Sequence, residues 1–174
     1  MDIDGDKMTK TIVPGRVITL EHKKIPLPNG YIVQMDVIKH LGAALIVPFL
    51  SRDKIILLKQ YRPVIGKYLY ELPAGTAEKG ESNLQTAKRE LIEETGYSAG
   101  KMTLMGNIYP VPGYSTEKIA IYKAEKLKSV KYHAEEDEVI TIQTVNKAKV
   151  RQMFKKGQMT DAKTICAFAM CGWL

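Results

Sequence analysis

A chain of 174 residues, 45% of them hydrophobic, has the size of one globular domain with a proper core. The N-terminal MDIDGDKMTK is charged and has no apolar centre, so no signal peptide is expected; the longest apolar run, residues 41–50, is too short to span a bilayer. The net charge of +7 comes from lysines scattered along the sequence, which suits a phosphate-bearing substrate as well as nucleic acid and decides neither. Neither a nucleic-acid nor a membrane partner is expected. Cys166 and Cys171 stand five apart in a predicted helix and point different ways, which argues against a disulfide framework and for a reduced, cytoplasmic protein.

The first ten residues read as loose polar chain. Residues 16–21 and 31–38 alternate as strands, joined by the turn-rich IPLPNG, so an N-terminal hairpin is expected over 11–38. Residues 44–50, the turn SRD and residues 54–62 read as a buried hairpin, and YLYELP follows. A helix is expected to start at Ser82, where Ser82 and Gln85 form a capping-box pair, and to stop at Gly96. Residues 101–110, 117–127 and 138–145 read as three further strands. Asn146 opens a lysine-rich helix to Lys156, and Thr160 or Asp161 caps a last helix with Ile165, Phe168 and Trp173 on its apolar side. Strands broken by helices in this order give an α/β chain with a mixed sheet, a single domain over 1–174 whose core is 39–172.

Chemistry concentrates in residues 75–97. Gly75 is followed by Glu81, then Arg89, Glu90, Leu91, Glu93, Glu94 and Gly96, so four carboxylates crowd one short helix. Glu90, Glu93 and Glu94 stand at i, i+3 and i+4 and share a face, while Leu84, Ala87 and Leu91 form the neighbouring stripe for core packing. Crowded acids are costly without a cation, and oxygen ligands with no His or Cys nearby favour Mg²⁺ or Mn²⁺ over zinc. Arg89 reads as a clamp on one of the glutamates. Taken alone, KRELIEET is also the pattern of an ordinary solvated helix face.

The flanking Gly75, Glu81 and Gly96 distinguish the two readings. The segment resembles the Nudix box, G-x5-E-x7-R-E-U-x-E-E-x-G-U with U a bulky aliphatic residue, and departs from it only in Tyr97 at the last position. The resemblance implies a Nudix fold, an α/β/α sandwich, and hydrolysis of a nucleoside diphosphate linked to another group. It implies that the main-chain carbonyl of Ala74 with Glu90 and Glu94 binds metal, supported by Glu81 and Glu93, with Arg89 and Glu93 in the catalytic set.

Outside the box, KQYRPVIGKYLYELPAG, the segment NIYPVPGYSTEKIAIYKAEKL with Pro112 sixteen residues beyond Gly96, and the ending KKGQMTDAKTICAF resemble the ADP-ribose pyrophosphatase group over residues 16–172. That resemblance implies cleavage of ADP-ribose to AMP and ribose 5-phosphate. Other nucleoside diphosphate sugars, of UDP-glucose or GDP-mannose type, are the close alternative, and a non-catalytic nucleotide- or RNA-binding module the more distant one. It implies that Arg62, Glu71 and Arg16 bind substrate, Arg62 through a phosphate; a surface arginine and a strand glutamate paired to a lysine are the plain readings of Arg62 and Glu71. In the loop HAEEDEVITIQ it makes Glu136 the base, with Glu135 as alternative, and Glu138 a further ligand. It also implies a homodimer in which the N-terminal hairpin walls the partner's pocket. His22, His40 and His133 are too far apart to form a site. The tyrosines read as packing, although Tyr31, Tyr68 and Tyr114 are placed to meet a purine or ribose. Met102, Met105, Met153 and Met159 read as core filler.

Overall fold

The computed structural model describes residues 9–14, 18–131 and 138–174. Its centre is β4 (Ala43–Ser51), whose unbroken apolar run is explained by burial on both faces. Alternation then sorts the side chains: Ala43, Leu45 and Val47 point into one cluster, Ala44 and Ile46 into the other.

Around β4 lie β5 (Lys54–Arg62), β6 (Lys67–Glu71), β7 (Ala74–Thr76), β8 (Tyr97–Ile108), β9 (Ile119–Ser129) and β10 (Ile140–Asn146). Their order is β10-β5-β4-β9-β8, with β6 on β5 and β7 on β4. The β4–β9 pair is parallel and the others antiparallel, so the sheet is mixed, as expected. Part-way along, β4 changes partner: Ala43 to Leu45 pair with β7, whereas Phe49 and Ser51 pair with β5. This places β7 and the end of β6 beside the first helix.

That helix, α1 (Asn83–Thr95), starts from a complete capping box of Ser82 and Gln85 and ends on Gly96, whose φ of 71° is left-handed. It packs Ala87 and Leu91 against Ala44, Ile46, Ala120 and Ala124. Leu84 departs from expectation: it is 38% exposed, and Thr86 is the buried residue of the first turn. On the opposite face, α2 (Lys147–Lys155), capped by Asn146, contributes Val150 and Met153 to the larger cluster. Asp161 caps α3 (Ala162–Met170), whose Phe168 stacks on Trp173 at 5.9 Å. Helices on both faces of the sheet make the α/β/α arrangement.

The N-terminal region has three strands where two are expected. Here β1 (Thr9–Pro14), β2 (Ile18–Pro26) and β3 (Ile32–His40) form a separate antiparallel sheet in that order. The β2–β3 hairpin is the expected one, and β1 adds to its edge with a bulge between Thr11 and Val13. Ile38 ties this sheet to the core: its N–H donates to the Tyr114 carbonyl (2.8 Å) and its carbonyl accepts from the Thr116 N–H (3.0 Å). Among the described residues no helix is long and apolar enough to cross a membrane.

Candidate active site

Arg89 is the hub of the acidic helix. Its Nε and Nη2 donate to the two oxygens of Glu81 (3.0 and 3.1 Å), Nη1 to Glu90 (2.7 Å) and Glu93 (2.9 Å), and Nη2 also to the Thr76 carbonyl (3.0 Å). The expected clamp thus holds three glutamates. Glu81 also accepts from the Glu78 N–H and the Thr86 hydroxyl, and these bonds, Arg89 foremost, hold its carboxyl down to about 2. Glu81 therefore braces Arg89 and the start of α1, and it does not line the cavity.

Glu90 and Glu94 have the opposite electrostatics. Burial pushes the Glu90 carboxyl up to about 7 against the pull of Arg89. It raises Glu94 well above the usual range, and the neighbouring Glu90 raises it further. One Glu94 oxygen accepts from the Ala74 N–H at 2.8 Å, tying α1 to β7. Gly75 lies against the Glu90 carboxylate, so close that a Cβ there would overlap it. Two carboxylates that burial keeps from ionising together, beside a backbone with no side chain in the way, are a donor set that suits a hard cation. Among the described residues no three acidic or histidine side chains converge into a closed cage, so a cation here would rest on few carboxylates.

Arg62, Ala74, Gly75, Arg89, Glu90, Glu93 and Glu138 line a cavity of about 590 Å³, and buried Glu94 stands outside its walls, bonded to the Ala74 N–H. The structure thus gathers most of the expected site residues from four separate parts of the chain. Gln60 approaches Glu138 at 3.5 Å. Arg16, Glu135 and Glu136 lie outside the described residues.

Arg62 projects into the cavity on a fixed base. Its Nε and Nη2 donate to the two oxygens of Glu71 at 2.8 and 2.7 Å. Glu71 is 1% exposed, and burial would raise its carboxyl, but Arg62 and Lys163 together hold it below the ordinary range. Glu71 lines neither cavity, and its oxygens are taken by Arg62 and Lys163, the pairing with a lysine that is its plain reading.

Residues 39–168 match the NUDIX domain family. The chain belongs to the Nudix hydrolase family. A 36% identical relative, "ADP-ribose pyrophosphatase" of Bacillus subtilis, aligns over 90% of this chain and 85% of its own length. "Methanol dehydrogenase activator" of Bacillus methanolicus is 34% identical over 91% of this chain and 87% of its own. A solved structure titled "Crystal structure of ADP compounds hydrolase" superposes with a TM-score of 0.78 at 23% identity, over 94% of this chain and 89% of that one, which shows the shared fold.

This Nudix site also uses residues that sequence reasoning passed over. Lys163 contacts Glu71 and Asp161, and lines a smaller cavity of about 250 Å³ with Arg62, Gly75 and Glu117. Thr164 is fully buried and its hydroxyl accepts from the Leu72 N–H at 2.9 Å, fixing the strand end that leads into Ala74. The G-x-x-x-D-x-x-T ending carried this signal: Asp161 caps α3, Thr164 holds Leu72, and Lys163 between them reaches Glu71.

Proposed function

We propose that this protein hydrolyses the diphosphate bond of ADP-ribose, giving AMP and ribose 5-phosphate, with Mg²⁺ as its cation and Mn²⁺ as a substitute. The observation that carries this is a cavity lined by Glu90, Glu93 and a pinned Arg62, with buried Glu94 bonded to the Ala74 N–H at its edge. The name of the Bacillus subtilis relative supports the choice of substrate.

Glu90, Glu94 and the Ala74 carbonyl would hold the cation; Glu138 lines the same cavity without forming, among the described residues, a three-acid cluster with them and would join as a further ligand by moving toward a bound cation. Mg²⁺ fits because it commonly binds through one or two carboxylates plus substrate phosphate. When bound, such a cation neutralises a diphosphate and lowers the pKa of an attacking water. Arg62 receives a phosphate oxygen through the guanidinium edge not spent on Glu71. Arg89 keeps Glu90 and Glu93 in place. Glu136 takes the proton from the attacking water, with Glu135 as the alternative. We place the enzyme in the cytoplasm as a homodimer, the N-terminal sheet walling the partner's nucleoside pocket.

A comparison of kcat/KM for ADP-ribose, UDP-glucose and GDP-mannose with Mg²⁺ tests the substrate. ADP-ribose is expected to lead by at least tenfold. Equal or higher kcat/KM for another nucleotide sugar would reassign the substrate and leave the chemistry intact.

A further inference from the structure

A second concave site lies away from the acidic helix. A groove of about 790 Å³ between α2 and the β4–β5 turn is walled by Lys147, Arg151, Lys155 and Lys156, with Asp53 its single acid. It sits at the Lys54 end of β5, whereas Arg62 and the candidate catalytic cavity are at the other end; the strand's rise of ~3.3 Å per residue from Lys54 to Arg62 puts the two about 26 Å apart. The lysine-rich helix gives the groove its charge: positions 147, 149, 151, 155 and 156 are all cationic, and α2 carries no acidic residue.

Helix stability does not account for this pattern. Lys147 and Lys149 occupy the first turn, where the helix dipole disfavours positive charge and acidic residues are the stabilising choice. Lys147, Arg151 and Lys155 stand at i, i+4 and i+8, a straight row one turn apart. Arg151 is steadied by donating from Nε to the Trp173 carbonyl at 2.9 Å. Phe154, 43% exposed, lies three residues from Arg151 on the same helix, beside the groove and outside its lining.

We propose that this groove binds single-stranded nucleic acid, the row of cations following the phosphodiester backbone and Phe154 offering its ring to a base. A membrane surface fits less well, because the apolar side of α2, Val150 and Met153, is spent on the core and cannot enter a bilayer. The row of cations spaced along one helix matches the repeating phosphates of an extended strand. The inference is independent of the hydrolase reading, since no residue of the groove belongs to the catalytic cavity.

The test is fluorescence anisotropy of a labelled twelve-nucleotide oligouridylate with the full-length protein. Saturable binding is expected, weakening with salt at a log–log slope of about −2 for three phosphates. The triple variant Lys147→Glu, Arg151→Glu, Lys155→Glu should lose at least tenfold in affinity while keeping nucleotide-sugar turnover. The milder pair Lys147→Gln, Lys155→Gln, which leaves the Arg151–Trp173 bond in place, should weaken binding in the same direction if the triple variant folds poorly. Phe154→Ala should cost about five- to a hundredfold. No binding at low salt, equal binding by the charge variants, or displacement by polyglutamate as effective as by unlabelled oligonucleotide would each overturn the proposal. Loss of turnover in all proteins with binding retained would count against the hydrolase reading alone.

Discussion

Glu90 and Glu94 stand one helical turn apart where burial disfavours charge on either. Their carboxyls titrate higher in the folded chain than unfolded, so between the ordinary value of 4.5 and about 7 the folded state binds more protons. Stability conferred by the protonated forms is complete below that window and is lost as pH rises through it. The metal-free protein should therefore melt at a lower temperature at pH 7.5 than at pH 5, and Mg²⁺ should raise Tm more at the higher pH. A chelated protein whose Tm is flat or rising across that range would refute the assignment of these two acids. Glu94→Gln imitates the protonated acid and can still accept from the Ala74 N–H; it should match or exceed wild-type stability in chelator at pH 7.5 and lower kcat by several orders of magnitude. Near-normal turnover would mean that Glu94 is no metal ligand. Arg62→Ala leaves buried Glu71 with Lys163 as its remaining cation, at a cost of about 2–3 kcal/mol, discounted because Arg62 is partly exposed. Urea unfolding measures it, and an unchanged midpoint would remove Arg62 from the network.

At the scale of elements, α3 holds the strand end that leads into Ala74, so the proposed site should depend on it. Thr164→Val removes the acceptor of the Leu72 N–H and should cost about 1–3 kcal/mol, with a fall in kcat because Ala74 lies two residues on. A stability loss with kcat intact would confine Thr164 to folding. The boundaries of α1 were legible because Ser82, Gln85 and Gly96 carry their own local geometry. The alternation within β4 was legible too, as an apolar run that only a doubly covered strand explains. What local pattern could not show was partnership across the chain. Lys163 meets Glu71 across 92 positions, and nothing beside either residue announces the other. Leu84 follows the helical stripe yet is exposed, because contact with β4 and β9 runs through Ala87 and Leu91, further along the helix. Thr9 and Lys10 read as loose polar chain and Thr11–Pro14 as part of a two-stranded hairpin, because this stretch becomes a strand of its own only by adding to the edge of β2.

At the scale of the whole molecule, the N-terminal sheet is separate from the Nudix core sheet among the described residues and is bonded to the loop before β9 through Ile38 and His40. A sheet that extends from the core in this way is suited to reach a second subunit. Light scattering at micromolar concentration should give twice the chain mass, and a fully active monomer would sink the dimer. The same division leaves the candidate catalytic cavity as a property of the core: acids from α1, backbone from β7, and an arginine from β5 that α3 holds in place through Glu71 and Lys163. The most direct test of that assembly is chromatography of the products formed from ADP-ribose by wild-type protein and Glu94→Gln, each with Mg²⁺ and with excess chelator. The expected result is AMP and ribose 5-phosphate in equal amounts from the wild type with Mg²⁺ and almost none in the other three samples; equal product with chelator, or from Glu94→Gln, would contradict it.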